Sequence, residues 1–333
     1  MTSTPTRRRR IAKFLGHAAF GLILITATGL AGAAMWVHLS GAALVLFETL
    51  LALVALAALA LRCRSRRAGW AAFAVILLAA GGWYQTIEPR DDRHWAADVA
   101  HGVTAEIDGD AVTLHNVRAF DWQDRDTAKE HWVTRHYDLT RLDSIDMFTS
   151  VWDNPDIAHL LVSFGFTDGQ RVVFSVEIRR EADEEFEILG GFFRKFELVL
   201  IAAEESDIVK LRTNHRGEDV RVYPVKLDHE RMRKMFLTYL DFGNALDENP
   251  AFYNTLTDNC TTTVYQLATL VQPDMPLDIR LVKSGQLPDY LDEIGGLADD
   301  ISMAERRSRA AVTERAKRVP VSADYSDWIR AGF

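Results

Sequence analysis

The sequence predicts an α+β protein in two parts, three N-terminal transmembrane helices followed by an antiparallel-sheet-plus-helix domain. Three observations carry this reading. Apolar stretches run from about 18 to 37, 41 to 61 and 68 to 84; segments rich in Val, Ile, Phe and Tyr recur between about 103 and 227; and helical periodicity takes over after Asp228.

Each apolar stretch is within or close to the roughly 17 to 25 residues that cross a hydrocarbon core about 30 Å thick, where a lone segment must be helical to satisfy its backbone. Arg7, Arg8, Arg9, Arg10 and Lys13 precede the first span, and Arg62, Arg64, Arg66 and Arg67 separate the second from the third. By the positive-inside rule both clusters are cytoplasmic, the turn at His38 to Ser40 is external, and everything after Tyr84 emerges in the periplasm, beyond a bacterial inner membrane. A cleaved signal peptide is the competing reading of the first span. That span is too long for a signal's apolar region, and the second follows without a small-residue cleavage site.

Nine Lys or Arg against the single acid Glu48 give residues 1–87 a charge of +8, so the whole-chain value of −9 leaves −17 to residues 88–333. So acidic a domain would be repelled by phosphates, which excludes nucleic acid as a partner. Glu48 falls near the predicted outer end of its span, where it reaches water.

The outer part divides into a linker and β-hairpin (88–120), a main domain (121–300) and a helical tail (301–333). Val103 to Ile107 and Ala111 to Val117 flank Asp108-Gly109-Asp110 as a hairpin. Further strands are expected over 131–139, 157–166, 171–179, 193–203 and 220–227, with Thr167-Asp168-Gly169-Gln170 turning the clearest pair. Asp228 opens a helix to about Leu246, with Met232, Met235, Phe236, Tyr239 and Leu240 at helical spacing. A second helix runs from Cys260 to about Val271, and the basic run of about 301–318 reads as one solvated helix.

Cys260 is the only cysteine in the long outer part; Cys63 lies between two spans, and a bilayer would separate the pair. A free cysteine is commonly a small buried hydrophobe. Here, however, Asn259 and three threonines surround it, and the helix turns apolar only at Val264, Leu267 and Leu270. A thiol at a helix N-terminus meets unpaired N–H groups and the positive end of the dipole, both of which favour the thiolate. Its base would come from His94, His101, His115, His131, His136, His159, His215 or His229. His159 stands apart because it lies in the apolar strand Ile157-Ala158-His159-Leu160-Leu161-Val162. Periodicity alone leaves a structural histidine the stronger reading there.

The chain resembles the bacterial family of the Lnb N-terminal periplasmic domain, of lipoprotein N-acyltransferases. The resemblance runs through Ala158-His159-Leu160-Leu161-Val162-Ser163-Phe164, Ser175-Val176-Glu177-Ile178-Arg179 and Gly191-Phe192-Phe193-Arg194-Lys195-Phe196. It continues through Asp207 to Arg216, Tyr253-Asn254 and Asn259-Cys260-Thr261-Thr262, spanning about Asp121 to Tyr290. It implies a fold similar to circularly permuted papain-like (NlpC/P60-like) thiol enzymes, in which the histidine strand precedes the cysteine helix, as it does here. His159 would then take the thiol proton, and Cys260 would attack an ester or amide carbonyl to form a thioester.

The family pattern includes Glu177 as the residue that would orient His159. With Asp168-Gly169 as a two-residue turn, position 159 faces 178 and Glu177 points to the other face; a bulge or three-residue turn brings Glu177 opposite His159. An ion pair with Arg179 or Arg212 is the structural alternative for Glu177, and Ser163, on the His159 face, is the reserve candidate. The Cys260 N–H with the amide of Asn259 or Asn254 would form an oxyanion hole, unless these asparagines only cap and shape the turn. Tyr253 would bound an acyl channel or simply pack.

No metal-ligand spacing, phosphate-binding glycine loop or Gly-x-Ser-x-Gly pattern occurs, so the sequence calls for no metal or cofactor. The expected function is a membrane-anchored acyltransferase moving a fatty acyl chain from a phospholipid or lipoprotein to a lipoprotein α-amine. The alternatives are a cysteine peptidase or amidase of the cell envelope, and a non-catalytic binding module.

Overall fold

The computed structural model describes residues 7–298, 301–320 and 323–331. They form two compact units, one of residues up to Pro89 together with Glu187–Lys195, the other of Arg90–Phe186 with Phe196 onward.

The first unit is built on α1 (Arg7–His38), α2 (Gly41–Arg64) and α3 (Arg66–Gln85), each long and apolar enough to cross a membrane. Its small core gathers Phe20, Leu24, Ala58, Phe73 and Ile76, while Leu22, Ile25, Leu53 and Leu78 stay exposed. An apolar exterior around a sparse interior suits helices solvated by lipid. The segment 187–195 joins this unit. Its short helix α4 (Ile188–Phe192) is followed by Arg194, whose guanidinium donates to the Tyr84 and Ile87 carbonyls at 3.2 and 3.3 Å and lies over the Tyr84 ring. The expected strand 193–203 therefore shortens. Arg194 takes a positive φ of 57°, which breaks extension, and the strand starts only at Glu197.

The second unit is organised on an eight-stranded sheet. Its strands are β1 (Thr104–Asp108), β2 (Ala111–Arg118), β5 (Trp132–Asp138), β6 (Leu142–Val151), β7 (His159–Phe166), β8 (Arg171–Arg179), β9 (Glu197–Ala203) and β10 (Asp219–Pro224); β3 (Asp121–Trp122) and β4 (Ala128–Lys129) form a separate ribbon. The order is β1-β2-β9-β8-β7-β6-β10, with β5 on β2. The α+β expectation holds, with one correction to the sheet. β2 runs parallel to β9, so the sheet is mixed rather than wholly antiparallel.

The central strands are covered on both sides, which explains their near-continuous apolar runs. Leu160, Val162 and Phe164 of β7 and Phe174 and Val176 of β8 face α6 (His229–Glu248) and α7 (Cys260–Val271). Phe236 of α6 sits edge-on to Phe164 and Phe174 at 5.0 and 5.7 Å, a favoured aromatic geometry. Leu161 and Val173 face the opposite layer of α5 (Glu205–Lys210), a π-helical turn at Leu211–Arg216, and the C-terminal helices. Asp207 of α5 locks that layer, accepting bonds from Arg118, the Phe120 N–H and the Trp122 indole between 2.7 and 3.0 Å.

The tail differs from its expected single solvated helix. After α8 (Leu287–Glu293) come α9 (Met303–Ala310), α10 (Thr313–Ala316) and α11 (Tyr325–Arg330), and Ala316, Tyr325 and Ile329 are buried in the α5 layer. Arg330 reaches Asp146 of β6 at 2.7 Å and both Glu205 oxygens, while Ser163 donates to Glu205 at 2.6 Å. Arg330, beyond the basic run of 301–318, is thus the counter-ion of two buried carboxylates.

One close approach fixes the start of β7. Ser284 Oγ accepts from the Ala158 N–H at 2.8 Å and donates to the Ala158 carbonyl at 2.7 Å, clamping the residue before His159. The neighbouring Gly285 has no room for a side chain, since a Cβ would lie 1.9 Å from the Pro155 carbonyl oxygen. Gly285→Ala is expected to push the two segments apart at a cost of about 1–3 kcal/mol, readable as a lowered Tm.

Candidate active site

The α7 helix begins at Cys260 because Asn259 caps it. Asn259 Oδ1 accepts from the Thr261 and Thr262 N–H groups at 2.9 and 3.0 Å, Thr262 Oγ1 accepts from the Asn259 backbone N–H, and the Asn259 side-chain amide donates to the Thr255 carbonyl. Its amide is committed to this cap rather than aimed at a ligand. Asn254 likewise shapes the preceding turn, accepting from the Leu256 and Thr257 N–H groups at 2.9 and 3.2 Å. The Asn259 amide nitrogen is thus spent on the cap, whereas for Asn254 it is the side-chain oxygen that the turn engages. The cap takes up the N–H groups of Thr261 and Thr262 and not that of Cys260.

Strand alternation places His159 on the α5 side of the sheet, whereas Cys260 arrives on the α6–α7 side. They meet because the β7–β8 ladder stops at Leu161↔Ser175 and the strands part beyond it. The Cys260 thiol lies at this opening, 3.8 Å from Thr261 Oγ1 and near enough to the His159 ring and the Leu160 N–H for both to favour the thiolate.

The hairpin register decides the third residue. Gly165 pairs with Arg171, and the Phe166 N–H donates to Gln170 across a three-residue loop in which Gly169 takes a φ of 87°. The two-residue turn is therefore not formed, and the register that brings Glu177 opposite His159 is the one observed. Glu177 Oε1 lies 3.0 Å from His159 Nε2. Ser175 Oγ sits 2.8 Å from the same nitrogen and donates to Glu177 at 2.7 Å. Arg212 of the π-helical turn donates to Glu177 at 3.1 Å and pairs with Glu218 at 3.5 Å, so the alternative ion pair exists alongside the histidine contact. Ser150, paired with His159 across β6–β7, donates to Glu218.

Ser163 does not join this group, because its hydroxyl is spent on Glu205. Ser175 and Arg212 do, and sequence reading missed both as site residues. Ser175 sits two places before Glu177 on the same face, a spacing that could have indicated it once the register was known. Tyr253 stands near the thiol and Glu177, packed against the core; burial, with these two anionic neighbours, pushes its phenol up and keeps it a neutral donor.

The charges are mutually reinforcing. Burial is the largest influence on His159 and would lower the imidazolium, but Glu177 and Cys260 together outweigh it and carry the ring to about 9 against the added opposition of Arg212. Burial would likewise raise the Cys260 thiol, yet His159 and the Leu160 N–H bring it below its ordinary value. For Glu177 burial is overcome by His159 and Arg212, which hold its carboxyl well below the usual range. Between the lowered thiol value and about pH 9 the thiolate–imidazolium form is favoured. Glu177→Gln removes the charge that holds the imidazolium, so alkylation of Cys260 by iodoacetamide at pH 6 is expected to slow by on the order of tenfold and its pH profile to move to higher pH.

Among the described residues no cluster of His, Cys, Asp and Glu could hold a metal ion. The arrangement is a half-buried thiol at a capped helix start, an imidazole between it and a half-buried carboxylate, on a mixed α+β scaffold that follows three apolar helices. Residues 128–285, just under half of the chain, match the family model described as the Lnb N-terminal periplasmic domain. Every member of the constellation lies inside the matched region. No curated protein and no solved structure matches the chain.

Proposed function

We propose that this protein is a membrane-anchored periplasmic thiol acyltransferase, with Cys260 as nucleophile, His159 as base and Glu177 as the residue that orients His159. The observation that carries the reading is the half-buried sequence of thiol, imidazole and carboxylate, with His159 Nε2 held 3.0 Å from Glu177. Nε2 so engaged leaves Nδ1 for the thiol. The thiolate would attack an ester carbonyl, and the Cys260 and Leu160 N–H groups and the Tyr253 hydroxyl are the donors available to the developing oxyanion. Collapse expels the alkoxide, which takes the proton from His159 and leaves a thioester on Cys260. An amine then attacks the thioester carbonyl, gives a proton to His159 and expels the Cys260 thiolate as an amide forms, restoring the thiolate–imidazolium pair.

The circularly permuted papain-like relationship and the choice of a lipoprotein α-amine as acceptor belong to this proposal and are supported by the family match. So does the topology, with the N-terminus cytoplasmic, supported by the Arg clusters around the apolar helices. Spans in the same chain would keep the site near membrane lipid, raising the effective donor concentration.

The test is incubation of the detergent-solubilised full chain with phospholipid and a diacylated lipopeptide, read by intact mass. Gain of one acyl chain on the peptide amine supports transfer. Release of free fatty acid alone, or cleavage of the peptide, replaces transfer by hydrolysis.

A further inference from the structure

A cavity of about 460 Å³ runs beside α7 within the second unit. Its walls are largely apolar: Leu160 and Val162 from β7, Met147 from β6, and Val264, Ala268 and Val271 from α7 are among them. Two of its boundaries adjoin the site, since Leu160 follows His159 and Thr261 follows Cys260. Val264, Ala268 and Val271 stand four, eight and eleven residues after Cys260, on the helix face that the thiol begins. From Thr261 to Val271 the wall extends about 15 Å at roughly 1.5 Å of rise per residue. The volume holds on the order of fifteen heavy atoms at the roughly 30 Å³ that a water molecule occupies in the liquid. A largely apolar space that follows α7 from Thr261, the residue next to the nucleophile, matches an unbranched aliphatic chain better than a peptide, whose polar backbone would go unsatisfied there.

We propose that this cavity measures the acyl chain: the chain of the Cys260 thioester lies along α7, and the Ala268–Val271 end of the wall sets the longest chain accepted. The proposal rests on Cys260 forming a thioester and names what the reaction selects. In acylation by a p-nitrophenyl ester, the Sγ–carbonyl bond forms, the ester C–O bond breaks, and p-nitrophenolate departs.

The experiment uses the full-length protein in detergent with p-nitrophenyl esters of four, eight, twelve and sixteen carbons, following the phenolate burst and the adduct mass. Ala268→Phe places a ring midway along the wall. It is expected to lower the ratio of twelve-carbon to four-carbon acylation rates by about tenfold or more, the scale by which a hydrophobic pocket discriminates chain length. Val271→Ala, which lengthens the space, is expected to shift the optimum to longer chains. Equal chain-length profiles in both variants and the wild type overturn the proposal. Should Ala268→Phe fail to fold, Val271→Ala decides alone, an unchanged profile counting against the cavity. Dodecanoate binding to Cys260→Ala, by calorimetry, separates the two layers of the argument. Binding that Ala268→Phe weakens supports the cavity even if the wild type forms no thioester, which would sink only the nucleophile; no binding sinks the cavity.

Discussion

Cys260→Ala is expected to lower acyl transfer by roughly three orders of magnitude or more, since removing the nucleophile of a unit that acts together forfeits nearly all of that unit's contribution. The variant should fold. The helix start depends on the Asn259 side chain and on Thr262, not on the thiol. Loss of the acyl adduct with an unchanged Tm is the expected pair of results. An undiminished rate would remove Cys260 from the chemistry altogether. His159→Ala should approach the same residual rate without adding to the effect in the double variant, the sign of residues that work through one another.

The largest effect on stability is expected at the far end of the chain. Arg330→Met leaves the carboxylates of Asp146 and Glu205 buried without their main counter-charge, a change that costs about 3–5 kcal/mol in comparable buried pairs. Its pH dependence identifies the cause. Burial would raise Glu205, but Arg330 outweighs it and holds the carboxyl below its ordinary 4.5. A depressed folded value stabilises the protein above the ordinary carboxylate range and is lost as pH falls through the depressed value. In the variant burial acts with less opposition, Glu205 protonates more readily, and that contribution disappears. Denaturant titrations should therefore show a wide gap between wild type and variant at pH 7 that narrows toward acid pH. A gap independent of pH would mean that Arg330 acts through packing alone.

Local chemistry made much of this legible in the sequence. The three apolar helices follow from composition, and the α7 start from Asn259 and the threonines. What escaped depends on partners distant in the chain. Strand β6 went unassigned because Asp143 and Asp146 interrupt its apolar pattern, and Asp146 is tolerable there through Arg330, 184 positions away, with Arg171 beside it. The tail looked solvated for the same reason seen from the other side. The position of Glu177 turned on one extra residue in the Thr167–Gly169 loop, a choice between turns that local composition leaves open. Arg212 was present in a recognisable segment, but its meaning required the π-helical turn that carries it back to β8.

The chain passes between its two units three times, after Pro89 and on either side of Glu187–Lys195. A protease that cuts only near residue 89 would break the covalent link yet leave the outer unit held non-covalently, because the segment between β8 and β9 is both a loop of the sheet and a member of the helical unit. Shedding the domain from the membrane would take that cut and release of the 187–195 segment from the helices together. The anchor is in this sense stitched rather than hinged, and an engineered soluble fragment beginning at Arg90 would carry an orphaned piece of the bundle, Ile188, Leu189 and Phe192, on its surface.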